Sequence, residues 1–177
     1  MLLSVIIPGY NTPAKWWIRC IKSVENAIRL LSSYKQQLPI AEIICIDDGS
    51  DKNPIPSSLN VQDEIVLLHI IRLSKNIGQA SARNQALDIA QGEFITFVDS
   101  DDEVREMTYK ICIDKLINTG ADVCLYGVTP IWTCESLLKH DIPENDIEDI
   151  QGNITESGIP SASQVEKWYK KCLLNYV

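Results

Sequence analysis

Apolar positions along the chain follow two alternating rhythms. The runs LLSVIIP (2–8), EIICID (42–47), EIVLLHIIRL (64–73), EFITFV (93–98) and DVCLYGV (122–128) are short and apolar on consecutive positions. Such runs predict strands covered on both faces. Between them the spacing changes. Trp17, Ile21, Val24, Ile28 and Leu31 recur every three or four residues, which predicts one apolar helix face. Asn11 or Thr12 stands where a cap is needed, with Pro13 at the first helical position. The alanine-rich stretch 79–90 predicts a second helix stopped by Gly92, and residues 106–120 a third closed by Gly120. Strands alternating with helices predict an α/β fold: a Rossmann-like, mainly parallel sheet flanked by helices on both faces. In such sheets a ligand sits beyond the carboxyl ends of the strands.

After about residue 130 the rhythm weakens. Residues 140–160 are acidic and carry two prolines and two glycines, which predicts an irregular loop. Residues 161–177 predict a helix starting at Ser161 or Ser163, with Val165, Trp168, Tyr169 and Cys172 on one side. The organisation expected is therefore a core over 1–128 and an irregular acidic segment with a partial helix over 129–177.

Composition narrows the function classes. A chain of 177 residues suits one domain with a proper core. Its formal charge of −8 argues against nonspecific nucleic-acid binding, which needs a basic face. The six cysteines form no CxxC pair, and His69 and His140 lie near none of them, so buried free thiols are expected rather than zinc ligands. MLLSVIIPGYN lacks the basic start of a signal peptide and enters a strand pattern directly. No apolar run approaches the roughly 20 residues of a membrane span. Together these predict a cytoplasmic protein and leave peripheral attachment to the inner membrane face open.

Two acidic clusters fall at predicted strand ends. Asp99, Asp101 and Asp102 place three carboxylates within four positions, and like charges this close repel. The residues alone allow a solvated helix start or a site for a hard cation. A two-carboxylate Mg²⁺ or Mn²⁺ site leaves positions open for phosphate oxygens. Asp47 and Asp48, before Gly49 and Ser50, can accept from a ribose hydroxyl or a base N–H, or form an ordinary Asp-Gly turn. In LSKNIGQASARNQAL (73–87), Gly78 permits close backbone approach. Arg83 can pair with phosphate or an acidic cluster, or remain a surface arginine.

In order and spacing, SVIIPGYN (4–11), IICIDDGSDKN (43–53), LSKNIGQASARNQAL (73–87) and GEFITFVDSDDEV (92–104) resemble the inverting nucleotide-sugar glycosyltransferases of family 2, which have the GT-A fold. The resemblance covers roughly residues 1–128. It implies a nucleotide pocket begun by Pro8, Gly9, Tyr10 and Asn11, with Asp48 at the uracil or other base and Asp47 at the ribose side. It implies Gly78 and Arg83 near the donor diphosphate, and Asp99 and Ser100 toward the ribose or sugar. Asp101, Asp102 and Asp99 would be the DxD-type ligands of Mn²⁺ or Mg²⁺. The donor implied is a UDP-sugar and the acceptor a saccharide or glycoconjugate, in bacterial polysaccharide assembly; a homodimer is left open. The family's general base is an Asp or Glu well beyond the DxD, after a helix that KWYKKCLLNY (167–176) resembles. Glu148-Asp149 is the only Glu-Asp pair in the tail and precedes that stretch. A catalytically weak nucleotide-sugar-binding module is therefore the second expectation. A phospho-receiver domain would need its acidic pair after the first strand, where Pro8-Gly9-Tyr10-Asn11 stands, and no GxGxxG supports dinucleotide binding.

Overall fold

The first four apolar runs become the strands of one parallel sheet in the computed structural model, which describes residues 1–34, 38–61 and 64–127. In chain order the elements are β1 (Leu3–Gly9), α1 (Ala14–Arg29) with a 3₁₀ turn over Leu30–Tyr34, β2 (Ala41–Asp47), β3 (Val66–Arg72), α2 (Gln79–Leu87), β4 (Phe94–Phe97) and α3 (Thr108–Thr119). The strand order is β3-β2-β1-β4. Leu3 pairs with Ala41 on one side and Phe94 on the other, and Ala41 pairs with Val66. The chain winds outward from β1 in one direction and then in the other. That puts the switch point between β1 and β4, where an open sheet leaves a crevice at its carboxyl edge.

β1 and β2 are buried nearly throughout because helices cover both faces. Alternate residues point opposite ways. Val5, Ile7, Ile43 and Cys45 join Trp17, Val24 and Ile28 of α1 and Tyr109 and Ile113 of α3 in the larger core. Ile6, Ile44 and Ile46 meet Ala82 and Ala86 of α2, whose small side chains let that helix sit close to the sheet. The expected α/β architecture, with helices on both faces, is what the chain forms.

Several boundaries differ from the sequence reading for tertiary reasons. Pro13 caps α1, so neither Asn11 nor Thr12 does; their side chains are held by other loops. α2 stops at Leu87, and Gly92 is needed elsewhere. A Cβ there would lie 2.3 Å from the Ser4 backbone nitrogen, so this glycine allows the chain to enter β4 alongside β1. Gly120 closes α3 as expected, at φ +66°. The fifth strand is not formed over its described part. Residues 123–127 are neither helix nor strand. Met1–Asp122 form one compact unit and Val123–Val177 a second. The expectations for 140–160 and 161–177 lie outside the described residues.

At the amino ends of the strands, the buried Glu42 carboxylate accepts from Ser4 Oγ and from the Gln91 amide, each at 2.6 Å. Ser4 Oγ in turn accepts from the Gly92 amide at 2.7 Å. His69 Nε2 stands 3.2 Å from Glu42 Oε2, without hydrogen-bond alignment. Replacing Glu42 by leucine removes the acceptor from two buried or half-buried donors. The expected loss is about 2–3 kcal/mol in urea unfolding, with the slope unchanged.

Candidate active site

The carboxyl ends of β1, β2 and β4 surround a cavity of about 390 Å³. That falls in the roughly 300–1,000 Å³ range of small-molecule sites. Pro8, Gly9, Tyr10 and Thr12 line it from the β1 side, Asp48 from β2, and Asp99, Ser100 and Asp101 from β4. Asn76, Gly78 and Gln79 close it from the segment leading into α2. The structure thus brings together eight of the sequence-predicted residues, from Pro8 to Asp101.

Backbone freedom makes the crevice. A Cβ on Gly9 would lie 2.4 Å from the Trp17 ring and 2.7 Å from Ser100 Oγ, so only glycine lets β1 pass between them. Ser100 Oγ and Thr12 Oγ1 share a buried hydrogen bond of 2.7 Å, which ties the β4 turn to the β1 turn. Asn11, at φ 54°, is a clasp. Its amide donates to Ser50 Oγ at 2.8 Å, and its side-chain oxygen accepts from the amides of Lys52 and Asn53. Its side-chain N–H also donates to Asp51, which holds that carboxyl below its usual range. Asn11 does not line the cavity; it shapes the wall.

The two β2 carboxylates divide their work. Asp47 is fully buried; one oxygen accepts from the Ser50 amide and the other from the Ile55 amide, both at 2.9 Å. Arg72 Nε lies 3.6 Å from the second. Asp47, expected at the ribose side, folds the turn and does not line the cavity. Asp48 stays at the cavity wall, accepting from the Ile77 amide at 2.8 Å and the Gly78 amide at 2.9 Å. It fixes the segment that carries Asn76 and Gly78.

Of the partners open to it, Arg83 takes the acidic cluster. Its guanidinium meets Asp99 Oδ1 at 2.6 Å and lies 5.3 Å over the Phe97 ring, and it is not part of the cavity wall. Gln79 Nε2 donates to the same oxygen at 2.8 Å. Asp99 is thus compensated from within, and Arg83 acts through it. Asp101 lines the cavity, whereas Asp102 lies outside the wall. The Asp102 carboxyl is raised above its usual range by burial first, then by the charges of Asp101 and Asp99. The same cluster adds to burial in pushing the nearby Cys20 thiol up to about 12. Among the described residues no three potential ligands converge on one metal position. The donor set nevertheless suits a hard cation sharing its shell with phosphate: oxygen ligands and uncompensated negative charge. Glu148 and Asp149 lie outside the described residues.

Sequence reasoning missed Thr12, Asn76 and Gln79. All three adjoin or fall within stretches singled out for other residues, and a polar side chain at a strand end or beside a Gly-rich turn was the available signal.

The fold and cavity define an α/β protein with a polar cavity at the sheet's switch point, where such folds hold their ligands. Residues 4–175 match the family model described as glycosyl transferase family 2. The chain belongs to that family. It is 33% identical over 126 residues to the glycosyltransferase GlyG of Streptococcus pneumoniae, covering 70% of this chain and 38% of the relative. It is also 33% identical over 153 residues to the poly(ribitol-phosphate) beta-glucosyltransferase of Bacillus spizizenii, covering 84% of this chain and 23% of that one. The structure of S. aureus TarS 1–349 in complex with UDP-GlcNAc superposes with a TM-score of 0.52 at 25% identity, covering 73% of this chain and 37% of that one. The chain therefore spans well under half the length of these relatives. No helix among the described residues is long and apolar enough to cross a membrane.

Proposed function

We propose that the chain is the donor-binding part of an inverting glycosyltransferase that takes a sugar from a UDP-sugar to a saccharide or glycoconjugate hydroxyl. The observation that carries this reading is the single cavity joining Asp48, the Gly78 turn and Asp99-Ser100-Asp101. Tyr10 and Asp48 would face the base, and Asp99, held by Arg83 and Gln79, would face the ribose or sugar. In the reaction the acceptor oxygen attacks the anomeric carbon as a base takes its proton. The bond to the diphosphate breaks, and its electron pair leaves with the nucleotide. Asp101 and Asp102 would hold Mn²⁺ or Mg²⁺, which would neutralise charge on that leaving diphosphate. The TarS complexes with UDP-GlcNAc and UDP support a uridine donor.

The test is the melting temperature with UDP and GDP, each with and without Mn²⁺. UDP at about a hundred times its Kd should add about 2.7 kcal/mol, a rise of about 5–10 °C. The rise should need Mn²⁺ and vanish in Asp101→Ala. No rise with either nucleotide would sink the reading. Binding without transfer or donor hydrolysis would leave a donor-binding module.

A further inference from the structure

The turn that carries the acidic cluster is fastened on both sides of Asp101 and Asp102, and α1 supplies much of the fastening. Before them, Ser100 Oγ is tied to Thr12, and the Asp99 carboxylate is held by Gln79 and Arg83. The Asp99 carbonyl accepts from Cys20 Sγ at 3.5 Å. It also accepts from the Asp102 amide at 2.9 Å, which closes the turn. After them, Arg19 pairs with Glu103, and the Val104 amide donates to Ser23 Oγ at 2.9 Å. Ser23 Oγ donates in turn to the Cys20 carbonyl at 2.7 Å, so its hydroxyl is oriented from both sides. Ser23 follows Arg19 by four positions and Cys20 by three, which puts all three on one stripe of the helix. Among the described residues neither Asp101 nor Asp102 has an ion-pair partner. Three carboxylates within four positions push one another apart, and a turn held at one end only would open.

We infer that Ser23 is a positioning residue for the cation that Asp101 and Asp102 would hold: by fixing the Val104 amide, it keeps the turn closed against the repulsion of its own carboxylates. The inference rests on the donor reading, which supplies the cation. Ser23 does not line the cavity, and its replacement by alanine alters no charge. A loss of cation affinity on that replacement therefore reports the placement of the two aspartates, not a changed field. Mg²⁺ demands near-ideal octahedral geometry, whereas Ca²⁺ accepts irregular shells, so a loosened turn costs Mg²⁺ more than Ca²⁺. A hydroxyl with a structural role alone would lower the melting temperature and leave that selectivity unmoved.

The test is titration of the full chain with Mn²⁺ in the presence of UDP, read by the electron paramagnetic resonance of the free ion. Mg²⁺ and Ca²⁺ are the competitors, UDP alone is the blank, and each variant is read well below its melting temperature. Ser23→Ala should weaken Mg²⁺ binding about five- to tenfold and Ca²⁺ binding by about twofold at most. Ser23→Thr keeps the hydroxyl and should restore Mg²⁺ binding to within about twofold of the parent chain. If the parent takes up no Mn²⁺ beyond the blank, the donor reading fails and this inference falls with it. If the parent binds Mn²⁺ and Ser23→Ala matches it for Mg²⁺, the inference alone fails. Equal losses of Mg²⁺ and Ca²⁺, or a loss that Ser23→Thr does not relieve, likewise overturn it.

Discussion

Replacing Gly49 by alanine should lower stability by about 2–5 kcal/mol, the largest effect expected of an alanine at any described glycine with a positive φ. Two costs add. Gly49 has φ +68°, a left-handed conformation that a side chain disfavours by about 1–2 kcal/mol. Its Cβ would also lie 2.3 Å from the Lys75 carbonyl carbon and 2.6 Å from the Asn76 nitrogen. Those are backbone atoms and cannot swing aside as a flexible side chain would. The segment 75–78 would have to move, and Asp48 holds it by two amides. Gly78→Ala is the control. It has φ +90° but open space around it, so only backbone strain of about 1–3 kcal/mol is expected. Urea unfolding of both variants checks the pair. Equal losses would mean that the contact between the two turns is not tight.

Asp48→Ala should abolish nucleotide binding, raising the Kd for UDP by about a hundredfold or more. Direct contact is one part. The carboxylate lies in the cavity wall, and the alanine offers no acceptor. The second part is indirect. The Ile77 and Gly78 amides lose their shared partner, at about 1.5–3 kcal/mol for a bond to a charged acceptor. The segment that carries Asn76 and Gly78 is then no longer held in place. Isothermal titration with UDP and Mn²⁺ reads the affinity, and hydrogen exchange at the Ile77 and Gly78 amides reads the loosening. Intact affinity with faster exchange would show that Asp48 only braces the loop and that Asp99-Ser100-Asp101 carry the binding.

The elements most legible in the sequence are those whose burial has a local period. The α1 stripe from Trp17 to Leu31 and the runs of β1 and β2 come through almost unchanged, because a helix face or a doubly covered strand is written within about a dozen residues. The helix ends are less legible. Pro13 displaced Asn11 and Thr12 as the cap of α1 because both side chains bond to other loops. Gly92 resembles a helix stop in a local window and serves instead as a passage beside Ser4. The fifth apolar run has strand composition, yet its described part forms no strand.

By itself, the sequence determined the parallel α/β layout, the placement of Asp48, Asp99 and Asp101 at strand ends, and the family they resemble. Hydrophobic period and motif order are properties of the chain read in one direction. Only the tertiary structure decided that Asp47 turns inward to hold Ser50 and Ile55, that Arg83 serves Asp99, and that Asn11 clasps the 50–53 loop. It also decided that Thr12, Asn76 and Gln79 complete the wall. The physical reason is that a carboxylate or guanidinium goes to whichever partner lies nearest in space. The decisive partners stand as far apart in the chain as Thr12 and Ser100.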